Sequence, residues 1–379
     1  MQVQQSVFTS KEEILESLKN FDASLYDLHF IFSHKNYLTD EAILSQIKVS
    51  FANTIIMGCS SAGEIGAKKV VDGSLVLTSV KLLKSKVKKA SVALNHMSDS
   101  KKAGEYLAKE LADKDLKNVF ILSDGLNVNG TRLVEGINSI LDYKVNVCGG
   151  LAGDNGDFIK TYVADMENNF VSNCISAVGF YGDDLETSSG SFGGWDSFGI
   201  GRVVTKSVEN IVYEIDGQPA LELYKSYLGD LSKELPGSAL FFPLEMKESD
   251  HSEMLVRTIL GINEKENSLT FAGNIAEGAL VRLMKTNVNR VIEGAEKAAN
   301  MAKETLSKKT QLVLMVSCVG RKLVLKQLAQ DEIEAVTDSF DEDAVFAGFY
   351  SYGELSKLKG EHYCNLHNQT MTLTAISEQ

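Results

Sequence analysis

The sequence predicts a mixed α/β fold in two lobes, with mixed sheets, repeated βαβ units and helices on the outer faces. Three recurrences carry that prediction. Apolar segments end in serine at Phe30-Ile31-Phe32-Ser33, Phe120-Ile121-Leu122-Ser123 and Leu314-Met315-Val316-Ser317. Each is followed by a helical stretch and then by a second apolar strand that runs into Gly63-Glu64, Gly153-Asp154 or Gly353-Glu354. The serine-to-glycine separations are 30 (33 to 63), 30 (123 to 153) and 36 (317 to 353) residues. A βαβ unit needs about 30 residues. Parallel strands built this way place ligands outside their carboxyl ends, where the Gly-acid turns should lie.

Taken in order, Ser10-Lys11-Glu12-Glu13 is a capping box, and Ile14, Leu15 and Leu18 give the helix behind it an apolar face. A strand over 27–32 follows, then a helix over 40–49 opened by Thr39, with Asp40 and Glu41 suited to its positive end. Segments 74–82 and 89–94 alternate as antiparallel strands do, and helices are expected over 100–112 and 130–141. Strands at 158–163, 175–181, 202–205 and 210–215 come next, the last hairpin closing at Asp216-Gly217. A helix over 218–228 carries Leu221, Leu223, Tyr224 and Leu228. Beyond it, strands are expected near 239–242, 254–260, 268–273 and 280–285. A long helix over 287–307 places Val291, Ala295, Ala299 and Ala302 on one side. The third unit and a closing strand over 370–376 complete the chain. The boundary falls near 218–236, dividing the chain into domains 1–217 and 218–379.

At 379 residues the chain is too long for one ordinary core, which supports two domains. Its 44% hydrophobic and 23% charged residues are those of a soluble globular protein. A net charge of −13 repels phosphate backbones and argues against a nucleic-acid partner. The first six residues show neither a basic segment nor an apolar core, so no signal peptide is expected. No apolar run reaches the ~18 residues of a membrane span. Five scattered cysteines, an odd number without a pattern, read as reduced thiols and a cytoplasmic location.

The motifs then become recognisable. Gly58-Cys59-Ser60-Ser61-Ala62-Gly63-Glu64-Ile65, Ser123-Asp124-Gly125-Leu126-Asn127, Gly149-Gly150-Leu151-Ala152-Gly153-Asp154 and Val204-Thr205-Lys206-Ser207 resemble the amino-terminal FIST domain. Asp216-Gly217-Gln218-Pro219-Ala220 resembles the junction to the carboxyl-terminal FIST domain. Ser317-Cys318-Val319-Gly320-Arg321, Phe349-Tyr350-Ser351-Tyr352-Gly353-Glu354 and Leu366-His367-Asn368-Gln369-Thr370 resemble that second domain. The resemblance spans about 25–376 and implies a small-ligand sensor that modulates a partner signalling protein, such as a histidine kinase, rather than an enzyme. Its most specific form, the NosP-like subgroup, implies haem b and nitric oxide sensing.

The candidate ligand-binding residues at the repeated strand ends are Ser60, Ser61, Gly63, Glu64, Gly150, Asp154, Arg321, Tyr350, Glu354 and Asn368. Each carboxylate has two readings: pairing with a cationic ligand group, or accepting backbone N–H groups of its own tight turn. Arg321 either grips a carboxylate, a haem propionate included, or forms an internal salt bridge. Arg257 and Arg282 fit solvent-facing positions on alternating strands. If haem binds, His251 is the expected proximal ligand and His367 the alternative. The competing readings are a solvent histidine in a charged loop and a structural hydrogen bond. His362-Tyr363-Cys364-Asn365-Leu366-His367 lacks the second Cys/His pair of a tetrahedral site, and the absence of C-x-x-C-H excludes covalent haem. Neither G-x-S-x-G nor a phosphate-binding glycine motif occurs. Cys59 and Cys318 are either reactive thiols, as a thiol hydrolase would need, or small buried side chains. Trp195 either covers a pocket or packs a glycine-rich bend. A haem-free sensor of an amino acid or another metabolite is the alternative to haem.

Overall fold

The computed structural model describes residues 1–248, 254–357 and 363–378. All three expected βαβ units form, each with parallel strands. Leu28–Ser33 pairs with Ile55–Ser60, Leu116–Ser123 with Asn146–Leu151, and Leu312–Cys318 with Val345–Ser351. The serines lie in equivalent register, with Ser33 opposite Ser60, Ser123 opposite Leu151 and Ser317 opposite Tyr350.

Each unit is larger than its βαβ centre. An antiparallel return strand flanks the first parallel strand: Leu75–Lys81, Cys174–Tyr181 and Met371–Glu378 respectively. An edge strand then flanks the return strand: Gln2–Phe8, Lys86–Ala93 and Leu185–Phe192. The chain is thus three copies of one sheet. The third copy is interrupted between its edge strand and its helix Val288–Glu304 by an insertion of strands and a helix, Ala220–Leu228. The inserted strands, from Asp196–Val208 to Leu280–Lys285, make a separate eight-stranded sheet with its own apolar core.

The copies close a ring by exchanging strands. Glu64–Gly66, from the first unit, pairs with the third unit's Val345–Ser351. Gly353–Ser356, from the third, pairs with the second unit's Asn146–Leu151. Val163, from the second, pairs with Cys59 of the first. Each unit therefore finishes its neighbour's sheet and removes an exposed strand edge.

Sequence periodicity explains the layers. The parallel strands are buried on both faces and so read as nearly continuous apolar runs. Alternate residues separate two cores. Phe30 and Phe32, Phe120 and Leu122, and Leu314 and Val316 meet in one central cluster. The rings of Phe30 and Phe120 lie 5.8 Å apart, and those of Phe32 and Phe349 4.8 Å apart. Ile31 turns the other way, with Ile43 and Ile47 of helix Glu41–Ser50, while Val119, Ile121, Val313 and Met315 share a cluster with the helices of the second and third units.

Several local expectations change. Asp40, not Thr39, caps its helix, because its carboxylate accepts the N–H groups of Ala42 and Ile43. Residues 158–162 do not form a strand, since the loop there folds around Asp154. The apolar stretch near 239–242 makes a 3-10 turn, Gly237–Phe241. Arg257 is not solvent-facing but 1% exposed, and Trp195 packs against the glycine-rich bend and helix.

Candidate functional site

The three Gly-acid turns meet where the strands are exchanged. Gly153 donates its N–H to Ser60 O at 3.0 Å, Ala62 N–H donates to Tyr350 O at 2.9 Å while Tyr350 N–H donates to Gly63 O at 2.8 Å, and Tyr352 donates its N–H to Leu151 O at 3.0 Å. The glycines are needed because the turns touch one another. A Cβ on Gly153 would stand 2.6 Å from Ala62 N, and one on Gly150 2.5 Å from a Val316 methyl. Gly63 also has a φ of +141°, open to glycine and costly for other residues.

The acids fasten this junction, and all three are buried. Glu64 accepts bonds from the Ser61 hydroxyl and from Ser74 N at 2.9 Å. Glu354 accepts from Ser351 Oγ at 2.6 Å and from Thr370 N and Oγ1 at 3.2 and 3.0 Å. Ser74 and Thr370 immediately precede return strands, so each glutamate ties its turn to the head of the next strand. Asp154 instead gathers a loop, accepting N–H groups from Phe158, Ile159 and Lys160 and a bond from the Tyr352 hydroxyl. Its carboxylate oxygens, like the glutamates', are occupied within the protein.

Burial sets the charge of the two glutamates. It raises Glu64 above the usual carboxylate range. It pushes Glu354 up to about 7 against the opposing effects of Ser351, Thr370 and Arg321. For Asp154 burial also acts upward, but the Tyr352 hydroxyl and three backbone N–H groups outweigh it and hold the carboxyl below its ordinary value.

Arg321 is fully buried and committed to internal partners. Its Nε meets Glu332 at 3.3 Å, and its other nitrogens donate to the carbonyls of Val291, Gln369 and Gly193. This is the internal salt-bridge reading, with Glu332 as the acid. Ser60 Oγ accepts Tyr162 N at 2.9 Å, and Tyr350 is buried beneath the Lys322 ammonium. None of these groups reaches the main cavity.

That cavity, of about 160 Å³, opens between the ring and the inserted sheet. It lies at the carboxyl end of Leu312–Cys318, so Cys318, Val319 and Gly320 form one wall and Tyr352 another. Leu240, Thr258, Ile259 and Leu260 close it from the insertion. A second cavity of about 150 Å³ occupies the corresponding place after the second unit's Leu116–Ser123, lined by Gly125, Leu126, Asn129 and Leu151. The two share Phe158, Leu260, Ala272 and Tyr352. The Phe158 and Tyr352 rings stack at 4.3 Å. Phe158 holds a φ of +53°, unusual for a bulky residue, and its N–H is fixed by Asp154. The third acid thus positions an aromatic wall of both cavities without entering either.

Among the candidate ligand-binding residues Asn368 alone lines the main cavity, together with the candidate thiol Cys318. It is 1% exposed, yet neither its Oδ1 nor its Nδ2 has a hydrogen-bond partner. Thr258, across the cavity rim, is 3% exposed and its hydroxyl is likewise unpartnered. Buried polar groups are ordinarily satisfied, so two such side chains around one cavity mark a place for a ligand. Thr258 and Phe158 gave no sequence signal; Tyr352 lay inside a recognised motif but was not singled out.

The described residues do not fit haem. His367 is buried, its Nε2 lies 3.1 Å from Ser356 O, burial lowers its pKa to about 4, and it lines neither cavity. His251 lies outside the described residues. Among the described residues no three His, Cys, Asp or Glu side chains are grouped to hold a metal ion. The main cavity is also smaller than the roughly 300–1,000 Å³ of ordinary small-molecule sites, and a macrocycle needs more. Cys59 and Cys318 are buried, and burial raises both thiols above their ordinary value, which suppresses the nucleophilic thiolate.

Comparison with known proteins gives the family. The chain is 24% identical over 328 residues to the uncharacterized protein MJ1623 of Methanocaldococcus jannaschii, a match covering 79% of this chain. The chain spans about 60% of the length of that curated relative. Among solved structures it is similar to a chorismatase (7% identity, TM-score 0.34, covering 99% of this chain and 98% of that one). It is also similar to the cyanuric acid hydrolase of A. caulinodans (6% identity, TM-score 0.39, covering 100% and 99%). At those scores neither likeness bears on activity. The FIST N domain model matches residues 27–218 and the FIST C domain model residues 220–357. With its turns, unit spacing and both domain models in agreement, the chain belongs to the FIST family of signal-transduction sensor proteins.

Proposed function

We propose that this chain is a small-ligand sensor whose ligand occupies the cavity between the ring and the inserted sheet. The observation that carries the reading is the pair of buried, unpartnered side chains, Asn368 and Thr258, around that cavity. Binding there touches both the ring and the insertion, so it can bias how one packs on the other. Several specific hydrogen bonds cross between the two. Arg257 of the insertion donates to Leu366 O at 2.9 Å, Asn129 donates to Asn274 Oδ1 at 3.1 Å, and Gln369 donates to Leu240 O at 3.3 Å. The partner reading the altered packing is a histidine kinase or another signalling protein, and binding rather than catalysis is the role of the cavity. The buried, protonated state favoured for Cys318 supports the latter point.

Ala272→Phe tests this reading, because Ala272 lines both cavities and the larger side chain fills them. Kinase autophosphorylation is measured with the signalling protein that co-purifies with the chain. The filled variant should lock the output at one level, whatever the small-molecule supply. Output that follows the wild type under every condition contradicts the proposal. A haem-based nitric oxide sensor with His251 as ligand has no support among the described residues. A Soret band in protein purified with ample haem would favour it.

A further inference from the structure

The residues around the main cavity specify more than its position. Among the described residues no charged side chain lines it, and its walls are the apolar groups of Leu240, Ile259, Leu260, Val319 and Leu323 with the Phe158–Tyr352 stack. The nearby charges are already spent: Arg321 on Glu332, and Glu354 and Asp154 on their turns. A charged ligand would lose water there without a counter-charge from the described residues, which disfavours it. Of the polar side chains on its lining, the Tyr352 hydroxyl is bonded to Asp154, while the Asn368 amide, with one acceptor and one donor, and the Thr258 hydroxyl are unpartnered.

We infer that the cavity takes a small, uncharged molecule bearing an adjacent N–H donor and C=O acceptor on an apolar frame, the pattern of a lactam, cyclic imide or primary amide. The ligand N–H donates to Asn368 Oδ1 while Asn368 Nδ2 donates to the ligand carbonyl, so both orphaned atoms are satisfied by one planar partner. The Thr258 hydroxyl is left for a second polar group on the ligand. Amino acids and other zwitterions are disfavoured by the same arrangement, because neither of their charges finds a partner among the described lining residues. This inference rests on the cavity being the sensor's ligand site.

The test uses 2-piperidone as the lactam probe and cyclohexanone as a ring of similar shape that lacks the donor. Binding to the full chain is followed by ligand-observed NMR at millimolar concentration. The lactam should bind at least about tenfold more tightly than the ketone, since the ketone leaves Asn368 Oδ1 buried and unpaired. Asn368→Leu should abolish the preference. It should also raise the unfolding midpoint of the ligand-free protein, because two buried unpartnered polar atoms are removed. A merely structural asparagine would lower that midpoint. Equal binding of both probes, each lost in Ala272→Phe, overturns the donor–acceptor inference but keeps the cavity as the site. Lactam binding that survives Ala272→Phe refutes the site itself. Failure of the lactam to bind overturns this inference alone, because the kinase measurement with Ala272→Phe judges the sensor reading independently.

Discussion

Glu354 makes the stability of the ring depend on pH in a way that can be isolated. Burial raises its carboxyl from the ordinary 4.5 to about 7. At about 1.4 kcal/mol per tenfold change in proton affinity, this amounts to roughly 3 kcal/mol. The folded chain holds this proton more tightly than the unfolded chain. Its contribution is therefore fully present below pH 4.5 and is lost as pH rises through 7. His29 and His367 act in the opposite sense, since burial lowers each to about 4 and their contribution is lost as pH falls through that value. The wild-type curve mixes these effects, but a difference between variants does not. Glu354→Gln keeps a side chain of the same shape. Its carbonyl can accept from Thr370, and its NH2 can donate to Ser351 Oγ, reversing a bond in which the hydroxyl now donates. Urea unfolding of both proteins from pH 4.5 to 8 should show the glutamine variant gaining about 3 kcal/mol on the wild type across that range. A difference that stays constant with pH would refute the assignment of a raised carboxyl at this turn.

Two further substitutions probe the junction and its buried ion pair. Arg321→Ala leaves Glu332 buried without its partner and should cost about 3–5 kcal/mol, with much of the loss recovered in Arg321→Met/Glu332→Leu; unchanged denaturation of the single variant would contradict the pairing. Gly153→Ala forces a methyl to within 2.6 Å of Ala62 N, so the turns must part and the urea midpoint should fall by the equivalent of about 1–3 kcal/mol; a wild-type midpoint would show that the ring is not closed there.

Much of this architecture was legible in the sequence because it is written in local terms. Serine-ended apolar strands and Gly-acid turns 30 to 36 residues apart located all three parallel pairs, whereas the division of Phe30, Ile31 and Phe32 between two cores is hidden in an unbroken apolar run. What escaped depends on distant pairing. Gln2–Phe8 and Leu185–Phe192 are edge strands rich in polar residues, and they become strands by pairing with Leu75–Lys81 and Met371–Glu378. The strand exchange was invisible because Glu64–Gly66 is three residues long and its partner lies almost three hundred residues away. At the strand ends, most of the residues named by the motifs are committed to the ring's own hydrogen bonds. Residues such as Glu64, Asp154 and Arg321 are striped through the motifs because the ring needs them. Asn368 and Thr258 look like ordinary polar residues until their burial without partners is seen.

The central claim is that the space between the ring and the inserted sheet is where a ligand is read. It is met most directly by a crystal structure of the chain bound to any small molecule found to raise its unfolding midpoint, since such a molecule binds the folded state. The ligand should lie against Asn368 and Thr258, beneath the Phe158–Tyr352 stack. A ligand held instead in the small apolar hollow of the inserted sheet around Phe198 and Tyr227, or on the outer faces of the ring, would contradict the account.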